Sequence, residues 1–244
     1  MTQLTDMPDA VDPARQRKTP RRGSRAMTTV AGSRAVEARS RLHALGVTTV
    51  VAGILGAASA IVIIVWPDQV SDQHYSYPFD ATSYAVAQSW FAVQHLGLLA
   101  GLYGLARLAW SRSSRLTRTG LALTLIGMVG LTVCELFAIS AAHALVDTSQ
   151  ANAVDNSYGI PMVAIGLGLV VAGLGLARRP VLARAGRWLP LIMGGYVFVV
   201  MFPAVFGPMV AGRIAIGVWM LMFAALGASL VRADPSVRVL TERA

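Results

Sequence analysis

The chain of 244 residues has a single cysteine, Cys134, and a single lysine, Lys18. One cysteine excludes an internal disulfide and any CxxC redox or zinc pair, and its place inside an apolar stretch makes Cys134 a core residue. Phosphate-cradling GxxxxGK loops, GxSxG nucleophile elbows and HExxH helices are missing too, so the sequence offers no catalytic residue and argues against an enzyme of those soluble classes. Acidic side chains are scarce, with 12 Asp and Glu against 21 Lys and Arg.

What fills the chain instead is apolar. Stretches at 45–66, 88–109, 119–144, 160–177, 188–206 and 213–232 each approach the roughly 20 residues that a bilayer core requires. This pattern predicts an all-α polytopic membrane protein with six transmembrane helices. A transmembrane domain over 45–232 then lies between a tail at 1–44 and a short tail at 233–244. Residues 1–44 are rich in Asp, Pro, Thr, Ser and Arg without an apolar period, which predicts a disordered basic segment. Arg21-Arg22 resembles a twin-arginine signal, but Gly23-Ser24-Arg25 follows where an apolar pair is needed.

The charges set the orientation. Lys18 and the arginines of the tails fall on one side, together with Arg107, Arg112, Arg115 and Arg118 and with Arg178, Arg179, Arg184 and Arg187; Arg213 alone falls on the other. The positive-inside rule therefore predicts both termini in the cytoplasm. The net charge of +9 is then explained by topology and by anionic lipid at the cytoplasmic face, with no need for nucleic acid. Abundant Ala, Gly and Arg match a high-GC bacterial composition, which points to the plasma membrane.

Glycines carry a second pattern. At a shift of 74 the first span aligns with the third, matching Gly46, Gly53 and Gly56 to Gly120, Gly127 and Gly130; the third aligns with the fifth at a shift of 66, matching Gly120 to Gly186. The second and fourth align at a shift of 71 through Gly97 and Gly168. This predicts three tandem helical hairpins. Gly97 and Gly101 form a GxxxG pair suited to close helix packing.

Polar residues inside spans must be paired or must line a hydrated cavity. Glu135 is the costliest. From the span centres near Leu131 and Leu98, Glu135 lies ~6 Å and His95 ~5 Å toward the outer side at 1.5 Å per residue, so their depths match. Gln94 is adjacent, and Arg213 is long enough to extend inward from the outer end of the sixth span. These four are the expected intramembrane polar cluster. Bis-histidine haem is disfavoured because His143 sits ~13 Å farther out than His95. The outer-loop set Asp68, Asp72, His74 and Asp80 has no ligand-motif spacing, so no metal and no cofactor is expected. Asp80 is instead placed to cap a helix beginning near Ala81, below an aromatic flap formed by 66–79.

Over 40–232, with Gln94-His95-Leu96-Gly97 and Cys134-Glu135-Leu136 as its recognisable pieces, the chain resembles the broad group of six-span membrane proteins of high-GC bacteria. That resemblance implies fold and location and no particular activity. The expected function is an accessory or regulatory membrane protein with an architectural Glu135–His95 cluster. The alternatives are a small permease or proton-coupled transporter using those residues, and a haem- or quinone-linked redox subunit. Partners compatible with it are the lipid bilayer, another membrane protein, or a second copy of the chain. No substrate is legible.

Overall fold

The structure, a computed structural model, describes residues 22–178, 182 and 186–233, with side chains from residue 36 onward except at 112. The expectations for residues 1–21, for 234–244, and for Arg179 and Arg184 lie outside the described residues. Among the described residues the fold is all-helical: α1 Arg22–Ile64, α2 Ala81–Ala109, α3 Arg115–Ala138, α4 Ser149–Ala177, α5 Gly186–Val205 and α6 Met209–Val231. Five of these, all but α2, contain segments long and apolar enough to cross a membrane. Helix α2 has the length, at 29 residues, but Gln88, Ser89, Gln94 and His95 interrupt its apolar run.

Helix boundaries follow local chemistry. Asp80 caps α2 as expected, its carboxylate accepting from Ser83 N at 2.7 Å. Ser114 and Thr148 cap α3 and α4 in the same way, through Thr117 N at 3.2 Å and Ala151 N at 3.3 Å. The Thr148 cap starts α4 well before the expected limit at 160. Helix α1 likewise begins at Arg22, inside the segment expected to be disordered; Ala, Arg, Met, Leu and Glu in 22–44 are good helix formers, and local propensity outweighs the missing apolar period there. Within α5 a π turn spans Val197–Met201 just before Pro203, where proline supplies no N–H to the preceding turn.

From Ala38 onward the helices form one unit, and its order of packing is written in glycines. A Cβ on Gly120 would lie 2.7 Å from Ala172 N, and one on Gly127 would lie 3.0 Å from Ile165 N, so α3 and α4 meet backbone to backbone. Gly194 brings α5 equally close to Val170 N on α4. On α2, Gly97 faces Ala52 and Gly101 faces Thr49, both on α1. Gly46 and Gly53 of α1 turn the other way, toward Gly227 O and Met220 O of α6.

These partners limit the hairpin repeat. Gly120 and Gly186 each face the other helix of their own hairpin, through Ala172 and Ser229. Gly46, aligned with both, faces α6 rather than α2. Gly97 and Gly168, aligned at a shift of 71, do each face the first helix of their own hairpin, through Ala52 and Gly120, so the glycine contacts of the two hairpins agree in part. In α1 the close approach of Gly46 and Gly53 is to α6.

At the end bearing residues 65–80 and 139–148, two loops are joined. Tyr75 N donates to Ala144 O and Val146 N to Gln73 O, both at 2.9 Å, around an isolated antiparallel bridge between His74 and Leu145. Gln69 ties the first loop to the start of α2 by accepting from Asp80 N at 2.9 Å. Beneath this cap Ile63, Phe79, Tyr84, Ala138, Ala141, Ala142 and Val154 form a small apolar core separate from the main one. Trp66 packs on Phe79 with ring centroids 5.2 Å apart. The aromatic flap expected at 66–79 is thus an ordered cap.

Candidate functional site

Below the cap, side chains from three helices converge on Glu135. Glu135 lies on the last turn of α3 and is 8% exposed; His95, at mid-length in α2, is 5% exposed. His95 Nδ1 stands 3.6 Å from Glu135 Oε1. That separation is too long for a hydrogen bond, and Nδ1 has no other partner. On the opposite side, Tyr158 of α4 donates its hydroxyl to Glu135 Oε2 at 3.1 Å. Each carboxylate oxygen is therefore turned toward a different helix. Arg213, half-buried near the start of α6, acts electrostatically on Glu135 as well as on Tyr75, Tyr84 and Tyr158.

The arrangement continues toward the cap through tyrosines. Tyr84, buried in the first turn of α2, accepts a hydrogen bond from Gln88 Nε2 at 2.8 Å. It meets Tyr75 edge to face, with ring centroids 6.3 Å apart. Tyr75 in turn donates to Asp155 Oδ1 at 2.6 Å, joining the first loop to α4. Burial, aided by that acidic partner, pushes the Tyr75 hydroxyl well above the usual phenol range, so it is a fixed donor. Tyr158 packs against both the cap core and the main core, and links the two.

Of the four residues expected in the cluster, the structure brings Glu135 and His95 together and couples Arg213 to Glu135 through its charge. Gln94 belongs elsewhere. It faces α1, where its Nε2 donates to Ser59 Oγ at 2.9 Å beside Trp90 Nε1 at 3.0 Å. One residue along a helix is a rotation of about 100°, so neighbours in sequence meet different helices. Asp155 and Tyr158 were missed because the fourth span was drawn from 160, which leaves them in a loop; Tyr75 and Tyr84 were missed because their pairing runs between separate elements. The Thr148 cap was the available signal for the first pair.

Other candidates resolve into local roles. His74 Nδ1 pairs with Ser71 Oγ at 3.1 Å, Asp80 caps α2, and the Tyr77 hydroxyl is raised by its hydrogen bond to Asp68. Among the described residues no group of three His, Cys, Asp or Glu could hold a metal ion. His143 is exposed beyond the end of α3. Grooves of about 440 and 340 Å³ run between α1 and α2, lined by Leu55 and Trp90 in common and by Trp66 at the capped end. Glu135 lines neither of them.

Chemically, the cluster can hold one carboxyl between an imidazole and a phenol, away from water, with a guanidinium nearby to balance its charge. The chain matches no family model, no curated protein and no solved structure.

Proposed function

We propose that this is a six-span integral membrane protein of the bacterial plasma membrane, with both termini cytoplasmic and the capped end outside, that works as an accessory or regulatory subunit. Helix α2 is the sixth span in this reading. At 1.5 Å per residue its 29 residues reach ~43 Å. Gly97 and Gly101 hold it against α1, and Leu98, Leu102 and Leu105 are fully buried, so it shares the depth of its neighbours. The arginines at the uncapped end support the orientation. Labelling of a cysteine placed at Ser149 tests it, and a cytoplasmic Ser149 would reverse the assignment.

The observation that carries the functional reading is the division of the Glu135 carboxylate between Tyr158 of α4 and His95 of α2. Such a group bonds α3 to α4 and brings a polar face of α2 alongside where lipid provides no hydrophobic drive, which is what a scaffold needs. The decisive measurement is unfolding of the reconstituted protein. Glu135→Gln should retain most of the stability because an amide still accepts from Tyr158, whereas Glu135→Leu should lose it.

A second reading, a small proton-coupled permease, is favoured by one feature: His95 Nδ1 is unpartnered 3.6 Å from the carboxylate, a gap that a proton-driven rotation could close. Vesicles loaded with a pH dye separate the two readings. A flux abolished by Glu135→Gln at unchanged stability supports the permease, and the absence of any flux supports the scaffold.

A further inference from the structure

We propose that the cap is a latched gate, and that the Tyr75–Asp155 hydrogen bond is the latch controlling water access to the buried face between α3 and α4. The inference goes beyond the function proposed above and holds whether Glu135 locks the bundle or carries protons.

Three observations converge on it. First, the route from the capped end to Glu135 is filled by side chains of the cap core rather than by lipid-facing helix surface. Ala138 lies one turn outward of Glu135 on α3, and Ala142, Tyr84 and Val154 pack with it. Second, few polar contacts hold the first loop of the cap: two main-chain bonds join it to the second loop, at Ala144 and Val146, and the Tyr75 side chain reaches Asp155 of α4, while the second loop is tied to α4 by Gln150 Nε2 donating to Ser140 O. Of these, only Tyr75–Asp155 is a side-chain bond to an ionised group, and it bypasses the loop junction to reach α4 directly. Third, Tyr158 lies under the cap core with its hydroxyl on Glu135, so a cap that lifts from Tyr84 and Val154 uncovers the residue that seals the carboxyl. A core of seven residues, three of them alanine, held over a buried carboxyl by few polar bonds, is suited to open locally without unfolding the glycine-packed helices beneath.

The chain contains its own reporter. Cys134 precedes Glu135, is 8% exposed, and donates its thiol to Ser157 O at 3.3 Å across the same α3–α4 contact. In lipid nanodiscs a small quaternary-ammonium methanethiosulfonate cannot enter through lipid, so its reaction with Cys134 follows opening of the cap. Tyr75→Phe keeps the ring against Tyr84 and deletes only the hydroxyl; it should speed the reaction by roughly ten- to a hundred-fold, the shift expected for one lost charge-assisted hydrogen bond. Asp155→Ala should do the same, and the double variant should react no faster than the faster single one. Tyr196→Phe, which removes the bond from Tyr196 of α5 to Ala215 O of α6 at 3.0 Å and touches neither Tyr75 nor Asp155, is the control for general loosening and should leave the rate unchanged. An unchanged rate in Tyr75→Phe, or equal acceleration by Tyr196→Phe, would overturn the gate. Neither outcome depends on Glu135, so the scaffold and permease readings are tested separately.

Discussion

The two ends of the bundle are assembled by opposite means. Toward the uncapped end, side chains are removed so that helices can touch: Gly46 against Gly227, Gly120 against Gly168 and Ala172, Gly101 against Thr49. Toward the capped end, side chains are added, with Glu135, His95, Tyr158, Tyr84 and Tyr75 filling the same interhelical space with polar and aromatic groups. In hydrocarbon, where burying a leucine against another helix gains little over burying it in lipid, these are the two remaining sources of helix association. Backbone contact is rigid and leaves no room for adjustment. A polar cluster can be rearranged, which is why both the buried titratable pair and the cap occupy that end.

Breaking the rigid end should have the largest effect. Gly120→Leu puts a side chain where a Cβ alone would already stand 2.7 Å from the α4 backbone, so the helices must separate, at a cost of about 3 kcal/mol or more. Gly195, whose Cβ would meet nothing within 4 Å, is the control, and Gly195→Ala should change stability by no more than about 0.5 kcal/mol. Reversible unfolding in mixed detergent micelles measures both. Equal tolerance at the two positions would remove close backbone contact as the source of the rigid end's stability.

The flexible end should respond less, and in proportion to what each variant leaves unpaired. Glu135→Leu strands the Tyr158 hydroxyl and the Arg213 charge and should cost about 2 kcal/mol. Tyr158→Phe removes one donor while leaving the carboxyl its neighbours, and should cost about 1 kcal/mol. If Tyr158→Phe proved the more damaging of the two, the phenol hydroxyl would hold more than the carboxyl it donates to, since Phe keeps the ring's packing between the cores. Gln94→Ala, which breaks the contact to Ser59 outside the cluster, should cost about 0.6 kcal/mol, the mean for a polar contact between membrane helices.

Much of this division could be read from the chain before any coordinates. Apolar length located the helices, and matching depths along antiparallel spans paired Glu135 with His95, because depth depends only on counting residues along a helix. Asp80 was legible as a cap because N-capping is local. Rotation about the helix axis was harder: Gln94 and His95 share a depth, yet one meets α1 and the other α3. Which helix a glycine faces depends on the order of helices around the bundle, and nothing in Gly46 itself distinguishes α6 from α2. Tyr158 and Asp155 were hidden by a boundary error, since an apolar window begins α4 at 160 and the polar first turns from Ser149 to Gly159 carry these residues, which reach Glu135 and the cap. Polar turns at the mouth of a span are where hydropathy is least informative and where this site is built.

The smallest effect expected lies in the loop that fastens the cap to α2. Asp80 accepts from Ser83 N, and this backbone hydrogen bond to the ionised form holds its carboxyl below the usual aspartate range. A carboxyl depressed in the folded state contributes stability that is fully present above its unfolded value, near the 3.8 of a free aspartate, and is lost as pH falls through the lower folded value. The first turn of α2 should therefore fray only in strong acid, leaving the cap closed at neutral pH. Hydrogen exchange at the Ser83 amide reads this directly: protection should be constant from neutral pH to mildly acidic conditions, after correction for intrinsic rates, and should fall below the unfolded value. Asp80→Asn keeps an accepting oxygen and should remove the pH dependence while preserving most of the protection, and Asp80→Ala should abolish the protection at every pH. Loss of protection already at neutral pH in Asp80→Asn would mean that the charge, through its interaction with the first turn of the helix, holds the cap more than the hydrogen bond does.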